Sequence, residues 1–414
     1  MPELTPAERD AIAYIRSPAA IRERCQQVLE LACADRLRHF AYHPNKLPEV
    51  AGYVAEVTRD AYPSLHVPFH SRWRHFDVGG IDRVAHLDEE LGACSPAERA
   101  RCRFDLVITS VLLDAGAGEH WQYHEAQSGQ TYSRSEGLAV ASFHAFRGGV
   151  FASRAGYPWQ ADATGLQRIT EAALADALQV TAANPLVGLA GRAALLRALG
   201  TAVQDAPQYF GTDCPRLGHL FDYLWAHTQG GVMPARQILL AVLESFSPIW
   251  PGRLRVGGVN LGDVWRHSQI PGAGLTAGLV PLHKLSQWLT YSLIEPLIAA
   301  GVTVTGIDAL TGLAEYRNGG LLLDLGLLTP KHDAVLTQIH PPDAEVIVEW
   351  RALTVALLDR VAEQVRALLG LSAQDYPLAK VLEGGTWRAG RRIAREKRAD
   401  GSPPLRLVSD GTVF

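Results

Sequence analysis

The sequence predicts a mainly α-helical protein with a few short strands. In most segments, apolar residues recur every three or four positions, which is the spacing of one helix face. Only three short segments are typical of strands, at residues 254–259, 301–305 and 405–408. The chain has 414 residues, 47% of them hydrophobic, and this is enough to bury a sizeable core.

Capping residues mark several predicted helix starts. Residues 5–8, Thr-Pro-Ala-Glu, form a capping box with proline at the first helical position, and residues 95–98 repeat the arrangement. Ser135 could cap a helix over residues 136–146. Apolar periodicity predicts further helices over residues 164–181, 186–204, 217–228, 234–246, 281–299, 344–369 and 377–398. The helix over 344–369 is followed by Gly370, and glycine commonly ends helices.

Polar segments rich in glycine and proline near residues 205–235 suggest a division of the chain. We predict an N-terminal helical region, residues 1–215, that contributes loops to a pocket. A C-terminal helical region, residues 216–414, would follow it. The two regions could also form one integrated domain.

The composition narrows the class of protein. Lys and Arg number 39 against 43 Asp and Glu, so the net charge of −4 argues against nucleic acid as a partner. Five cysteines without a C-x-x-C pair favour reduced thiols. The N-terminus does not read as a signal peptide, and no run reaches the roughly 18 to 20 apolar residues of a membrane span. We therefore expect a soluble, cytoplasmic protein with no nucleic-acid or membrane partner.

Residues 68–76 combine two arginines, two histidines and three aromatic residues without helical periodicity. Arginines can hold an anion while aromatic rings stack on a flat ligand. The same composition also suits an ordered loop with solvated arginines and buried rings. His70, Arg72, Trp73 and Arg74 are therefore candidates for ligand binding, and the structural alternative stays open.

Two histidines spaced four apart, His120 and His124, could face one side of a helix and bind a metal. The local sequence is not H-E-x-x-H, and no third ligand is obvious. Metal binding at this place is a minor alternative.

Ionisable residues lie within apolar sequence in the C-terminal half. Asp263 and Trp265 belong to a Gly-rich loop, where Asp263 could also pair locally with Arg266 or cap a helix. Lys284 and Glu315 each have strongly apolar neighbours. Burial raises the pKa of a carboxyl and lowers that of a lysine, whereas pairing does the opposite. Such residues form active sites but also structural ion pairs.

Glu349 and Arg351 begin the longest predicted helix. They are two positions apart, so they point to different faces, and at least one of them is expected to face inward.

These motifs together resemble one family over essentially the whole chain, the uracil-catabolism protein four family of fungi and bacteria. The resemblance rests on HSRWRHFDVGGIDR (70–83), SVLLDAGAG (110–118), RSEGLAVASF (134–143), NPLVGLAGR (184–192), HKLSQWLTYSL (283–293), LTGLAEYRNGGLLLD (310–324), EWRALTVALLD (349–359), LEGGTWRAGR (382–391) and SDGTVF (409–414). It implies a pathway in which uracil becomes a nucleotide and its ring is opened. A ribosylurea phosphate would be left, from which urea is recovered.

A more distant resemblance, to the queuosine-nucleotide salvage hydrolases, implies a reaction. Those enzymes cleave an N-glycosidic bond in a nucleoside 5′-phosphate and are similar to helix-hairpin-helix DNA glycosylases. The residues of their motifs that are kept here are Lys284, Gln287, Thr311, Ala314, Tyr316 and Arg317. Their aspartate is Glu315 here, and their Pro-Gln is Gly319-Gly320. The resemblance implies a glycosylase-like helical core in residues 216–414.

The two resemblances imply an N-ribosyl hydrolase that splits a ribosylurea 5-phosphate into ribose phosphate and urea. Glu315 would stabilise an oxocarbenium-like transition state and orient or deprotonate water, and Lys284 would position Glu315 and the ribose. The implied substrate-binding residues have three roles. The proton donor to urea would be His70, Glu136 or Asp263. The residues at the phosphate would be Arg72, Arg74, Arg317 and Arg351, and those around the pocket Trp73, Trp265, Gln287 and Tyr316. No metal or organic cofactor is expected. The expected partner is a small sugar-phosphate substrate, and the sequence does not give the oligomeric state.

Two other functions stay open at this point. One is an amidohydrolase that cuts a ureido C–N bond, metal-assisted through His120, His124 and another histidine. The other is a non-catalytic partner of the pathway enzymes.

Overall fold

A computed structural model describes residues 4–114, 116–250, 254–272 and 274–408, and the fold is mainly helical, as predicted. The helices are α1 (Pro6–Ile15), α2 (Pro18–Cys33), α3 (Leu47–Ala61), α4 (Trp73–Phe76), α5 (Arg83–Glu90), α6 (Pro96–Leu113), α7 (Arg134–Arg147), α8 (Ala163–Gln167), α9 (Glu171–Ala177), α10 (Leu189–Asp205), α11 (Pro207–Phe210), α12 (His219–Ala226), α13 (Ala235–Ser245), α14 (Lys284–Ala299), α15 (Tyr316–Asp324), α16 (Ala334–Thr337), α17 (Glu345–Leu369), α18 (Leu378–Val381) and α19 (Trp387–Lys397). The C-terminal motif at residues 409–414 lies outside the described residues.

The strands are short and form two-stranded sheets within the described ranges. They are β1 (Phe40–Tyr42), β2 (Gln122–Glu125), β3 (Gln130–Ser133), β4 (Val232–Pro234), β5 (Arg255–Val256), β6 (Val259–Asn260), β7 (Val264–Arg266), β8 (Leu279–Pro281), β9 (Thr303–Thr305), β10 (Leu328–Pro330), β11 (Ile339–His340) and β12 (Arg406–Leu407). The pairs β1–β10, β2–β3, β5–β6 and β7–β8 are antiparallel, whereas β4–β9 and β11–β12 are parallel. No helix among the described residues is both long and apolar enough to cross a membrane.

The chain forms two compact units, each assembled from segments that are distant in sequence. Of the described residues, the first unit contains 4–70, 254–287 and 306–408, and the second contains 71–250 and 288–305. Helix α14 therefore contributes residues 284–287 to the first unit and 288–299 to the second. The predicted boundary after residue 215 falls inside the second unit.

Helix α17 is the central helix of the first unit. It packs against α2, α3 and α15, and all of its residues from 346 to 358 are buried. Because it is buried around its whole circumference over these turns, its polar residues Glu349, Arg351 and Thr354 need partners inside the unit. A smaller apolar cluster joins α1 to strands β5, β7 and β8.

In the second unit, α6 packs against α7, α10 and α12, and residues 104–113 of α6 are all buried. Helix α10 approaches α8 closely at Gly200, where an added Cβ would lie 2.7 Å from the carbonyl oxygen of Ala163. The two helices can therefore pack so closely only with glycine at this position.

The predicted local signals at helix ends are largely confirmed. Thr5 accepts the N–H of Glu8 while the Glu8 carboxylate accepts the N–H of Thr5, so the capping box is present. Ser95 caps α6. Gly370 ends α17 at a φ of 69°, the left-handed conformation that glycine adopts at little cost. All five cysteines are free thiols, as predicted.

Two helix predictions are wrong in detail. Ser135 does not cap a helix, because β3 runs to Ser133 and α7 begins directly after it. The segment 164–181 is not one helix. It is divided into α8 and α9 because the Thr170 hydroxyl accepts the Ala173 N–H and starts a new helix.

The helix face suggested for His120 and His124 is also wrong. His124 lies on β2 and His120 lies before this strand, so the two do not share a helix face. Both residues are exposed.

Candidate functional site

Asp263 directly precedes β7, and a polar cluster of the first unit is built on it. Strand β7 pairs with β8, with Val264 opposite Pro281, so the chain returns to Asp263 at the start of α14. There the N–H of Lys284 donates to Oδ2 of Asp263 at 2.9 Å. The indole N–H of Trp265 donates to Oδ1 at 2.5 Å. The Asp263 carboxylate thus fixes the backbone of Lys284, whose side chain is half-buried.

Arg351 of α17 pairs with Asp263 through two hydrogen bonds. Its Nη1 and Nη2 donate to the two carboxylate oxygens at 2.7 and 2.8 Å, and its Nε donates to the carbonyl of Ala314 at 3.2 Å. Burial raises the pKa of the Asp263 carboxyl, but the Arg351 guanidinium and two further N–H donors outweigh it and hold this pKa well below its usual range. Asp263 is ionised at neutral pH, which argues against its implied role as proton donor. The alternative of a local pair with Arg266 is wrong, because Asp263 pairs with Arg351.

Gln287 connects α14 to the segment that carries Glu315. Its side-chain amide donates to the hydroxyl of Thr311 at 2.7 Å and accepts the Thr311 N–H at 2.9 Å. Gln287 is fully buried. These two bonds give it a positioning role at the start of residues 311–315, whereas its implied contact with substrate stays a prediction.

Glu315 is the N-cap residue of α15. Its Oε2 accepts the N–H of Arg317 at 2.8 Å and its Oε1 accepts the N–H of Asn318 at 2.6 Å. Glutamate is not among the residue types preferred at this position. Its carboxylate is nevertheless held by two donors at the positive end of a helix, and it is 8% exposed. The arrangement suits a capping residue and also a reactive carboxylate that must stay in one orientation.

The two residues that follow Glu315 have different surroundings. Tyr316 is half-buried, and the Arg317 guanidinium lies 4.9 Å from its ring centroid. Nη1 of Arg317 donates to the carbonyl of Gly401 at 2.8 Å. Arg317 therefore already holds the C-terminal segment of the first unit, and its implied phosphate contact stays a prediction.

Gly319 explains one departure from the queuosine-salvage motif. A Cβ at this position would lie 2.7 Å from the Trp350 ring and 2.8 Å from the Thr354 hydroxyl. Helix α15 therefore approaches α17 so closely that a side chain such as proline has no room. A Cβ at Gly390 would likewise lie 2.1 Å from the carbonyl oxygen of Arg317, so α15 is closely packed on both sides.

His70 belongs to a second polar cluster of the first unit. Its Nδ1 lies 2.9 Å from Oε2 of Glu383, while Tyr62 and Arg388 donate to Oε1 of Glu383 at 3.0 and 3.1 Å. Glu383 is 2% exposed and lies in a π-helical turn, Leu382–Thr386, of a kind often found at functional sites. Glu383 is not among the residues that the sequence singled out, although the motif LEGGTW contains it.

Arg72 is the centre of a buried polar cluster in the second unit. Its Nε donates to Ser110 at 2.7 Å, and its Nη1 donates to the Ser135 carbonyl and pairs with Asp114, both at 3.1 Å. Its Nη2 and Oδ1 of Asp114 are buried without a hydrogen-bond partner. Burial lowers the pKa of Arg72, while Asp114 and Glu136 act in the opposite direction without cancelling it.

The other predicted residues of the second unit have largely structural contacts. The indole N–H of Trp73 donates to the Ser292 carbonyl at 2.7 Å, and Arg74 donates to Glu295 at 2.6 Å. Trp73 and Arg74 line a cleft of about 320 Å³ with Glu295. Glu136 lies half-buried in the first turn of α7.

The structure thus brings several predicted residues together. Hydrogen bonds connect Asp263 to Trp265, Arg351 and the backbone of Lys284, and Gln287 and Arg351 both hold the segment that ends at Glu315. His70, Tyr316 and Arg317 lie in the same unit. Arg72, Trp73, Arg74 and Glu136 lie in the second unit.

Comparison with known proteins identifies the family. The model of the family described as "Protein of unknown function (DUF1688)" matches residues 14–414. The chain belongs to this family. It is 38% identical to "Protein urg3" of Schizosaccharomyces pombe over 421 residues, which covers 98% of this chain and 99% of that protein. It is 35% identical to "Uracil catabolism protein 4" of Lachancea kluyveri over 437 residues, which covers 97% of this chain and 99% of that protein. The predicted family membership is confirmed.

Proposed function

We propose that this protein is an N-ribosyl hydrolase of uracil catabolism that cleaves a ribosylurea 5-phosphate to ribose phosphate and urea. The observation that carries the proposal is the near end-to-end relationship, at 35% identity, to a protein named for uracil catabolism. The type of reaction is supported by the more distant resemblance to N-ribosyl hydrolases. It is also supported by the buried carboxylate of Glu315 and the fixed backbone of Lys284.

Glu315 is the residue we propose at the reacting carbon. Cleavage of a ribosyl bond develops positive charge at the anomeric carbon and ring oxygen, and a fixed carboxylate stabilises that charge. Two backbone N–H groups hold the Glu315 oxygens, so little reorganisation is needed during the reaction. The carboxylate can also accept a proton from the attacking water.

Asp263 and Arg351 act through the position of Lys284. Their ion pair fixes the first turn of α14, on which Lys284 lies, and the carbonyl next to Glu315. We therefore treat Asp263 and Arg351 as positioning residues, and Lys284 as the residue that orients Glu315 and the ribose.

Urea leaves as a neutral molecule only when a proton reaches its nitrogen. His70 suits this step when its ring is protonated, because Glu383 then accepts the Nδ1–H at 2.9 Å and the Nε2–H can be delivered to urea. Glu136 is the other proton donor that the resemblance implies. His70→Asn and Glu136→Gln distinguish them, because a general acid acts only in its protonated form, so only loss of the donor changes the alkaline limb of the pH–rate profile.

The test is a product assay with ribosylurea 5-phosphate, following urea and reducing sugar phosphate. We expect equal release of both, and Glu315→Gln to lower kcat by about 10²- to 10⁴-fold. Glu315→Asp restores the residue of the queuosine-salvage motif and should keep measurable activity. Glu315→Asn keeps an N-cap acceptor but no carboxylate, so a folded, inactive Asn variant separates chemistry from capping.

Glu30→Gln, on the exposed face of α2, is the matched control and should leave kcat unchanged. Turnover of Glu315→Gln within threefold of the parent would remove Glu315 from the mechanism. Release of ammonia and carbon dioxide in place of urea would identify a ureido amidohydrolase. No release by the folded protein would overturn the hydrolase proposal for this substrate.

A further inference from the structure

A group of possible metal ligands lies at the start of α17. One ring nitrogen of His39 and one carboxylate oxygen each of Glu345 and Glu349 all lie within 4.8 Å of one another. Two ligand atoms bound tetrahedrally to one ion at about 2.0 to 2.2 Å stand roughly 3.3 to 3.6 Å apart. To share an ion, the three side chains must therefore move closer together by up to about 1.5 Å. Glu349 is fully buried, whereas His39 and Glu345 are half-buried, so solvent can reach the group.

The carboxylates of this group are balanced mainly by backbone N–H groups. Glu349 accepts the N–H groups of Arg38 and His39 at 3.2 and 3.1 Å, and no arginine or lysine of the described chain pairs with it. Glu345 lies one turn earlier, and like charges at this spacing repel. Its Oε2 accepts the N–H of Ser268 at 2.9 Å, and the Arg38 guanidinium stands 3.5 Å from its Oε1 with a side chain that is 64% exposed. The arginine beside the two carboxylates is thus a surface residue.

Two polar atoms without partners point independently to a ligand. His267, whose side chain is 0% exposed, has no hydrogen-bond partner for Nε2, which lies 3.5 Å from Oε1 of Glu349. Oε1 of Glu345 is also buried without a hydrogen bond, and Nη1 of Arg38 stands 3.5 Å from it. Unpartnered buried groups are costly and call for an explanation such as an ion or its water.

We propose that His39, Glu345 and Glu349 bind a divalent transition-metal ion of the Zn²⁺ and Co²⁺ type. One imidazole nitrogen with two carboxylate oxygens suits these ions better than Ca²⁺ or Mg²⁺, which favour all-oxygen sites. Nothing in the proposed hydrolysis requires this ion.

The neighbouring histidines have supporting roles. Nδ1 of His39 lies 2.9 Å from Nε2 of His332, so a His39 that donates there keeps the lone pair of its own Nε2 for the ion. Nδ1 of His267 accepts the Gln269 N–H at 3.2 Å, so its proton is on Nε2. His267 therefore positions Glu349 or an ion-bound water and does not coordinate.

The experiment is a titration of the full chain, stripped with a chelator, with Co²⁺ as spectroscopic probe and Zn²⁺ as competitor. We expect visible d–d absorption that saturates at one ion per chain and is displaced by Zn²⁺. Glu349→Gln should weaken Co²⁺ binding more than tenfold. His267→Gln should weaken it by about 10- to 100-fold, as expected for a residue that holds a ligand.

Glu363→Gln is the matched control, because it removes an exposed carboxylate from the same helix. It should leave Co²⁺ affinity unchanged. If Glu349→Gln fails to fold, Glu345→Gln makes the same test at the half-buried ligand. Absence of saturable Co²⁺ binding to the parent chain overturns the proposal, and so does binding that survives both glutamate variants.

Discussion

Each unit buries an arginine beside an aspartate, but the two pairs differ in how fully the protein satisfies them. In the first unit, Nε, Nη1 and Nη2 of Arg351 all donate hydrogen bonds, and Asp263 receives two more N–H donors. In the second unit, Nη2 of Arg72 and one oxygen of Asp114 have no hydrogen-bond partner. The pKa values differ accordingly. The ion pair lowers the pKa of Asp263 despite burial, whereas burial lowers the pKa of Arg72 despite Asp114.

The difference separates two functions that the sequence could not separate. A guanidinium whose three nitrogens all donate to protein, as in Arg351, holds structure, and its present bonds compete with a phosphate. A buried guanidinium with an unused N–H can accept an oxyanion without that competition. The phosphate contact that the resemblance implies for both arginines stays a prediction, and the two differ in whether a guanidinium nitrogen is left without a hydrogen bond.

The largest effect on stability is expected when the Asp263–Arg351 pair is broken. Arg351→Met leaves Asp263 buried without its cation, which should lower the free energy of unfolding by about 3–5 kcal/mol. Denaturant unfolding measures this change. The double variant Asp263→Asn with Arg351→Met should recover part of the loss. A single-variant loss below about 1 kcal/mol would show that the pair is not important for stability.

Lowering the pH should test the same pair, because protonation of Asp263 removes its negative charge. Because the pKa of Asp263 is lower in the folded than in the unfolded chain, its contribution is fully present above about pH 4 and is lost as pH falls through the folded pKa. Below pH 4 the parent should lose up to about 1.4 kcal/mol per pH unit more than the double variant. Urea unfolding at a series of pH values measures both slopes. Equal slopes of unfolding free energy against pH in the parent and in the double variant would contradict the lowered pKa of Asp263.

The smallest change in stability is expected at the Arg72–Asp114 pair. Arg72→Lys keeps the charge but loses the planar fork, and we expect about 1 kcal/mol of destabilisation. Inorganic phosphate should raise the Tm of the parent and should not raise that of Arg72→Lys. Arg236→Lys, an exposed position on α13, is the control. If phosphate raises the Tm of Arg72→Lys as much as that of Arg236→Lys, Arg72 does not bind the anion.

Local features of the fold were predictable because they depend on neighbours in sequence. The capping box at Thr5 and the end of α17 at Gly370 follow from backbone hydrogen bonding within a few residues. The π-helical turn around Glu383 was not predictable, because Gly384 and Gly385 there pack against distant side chains. Apolar periodicity predicted one helix over residues 164–181. The hydrogen bond from the Ala173 N–H to the Thr170 hydroxyl, which starts α9, is not visible in that periodicity.

At the candidate site, the residues were predictable from the sequence but their pairing was not. The sequence singled out Lys284 and Glu315 in apolar surroundings, Asp263 in a Gly-rich loop and Arg351 on the longest predicted helix. All four lie in one unit. The sequence could not say which carboxylate meets which cation. Asp263 and Arg351 are 88 positions apart, and their pairing depends on where β7 and α17 pack.

The sequence by itself determined the helical class, some of the helix ends and the family, because periodicity, capping and motif order are properties of the linear chain. Only the tertiary structure decided that all three guanidinium nitrogens of Arg351 donate hydrogen bonds, that Nη2 of Arg72 has no hydrogen-bond partner among the described residues, and that His39 lies beside Glu345 and Glu349. Hydrogen bonds, desolvation and charge pairing depend on distances between residues that are remote in sequence. Those distances are set when the units pack.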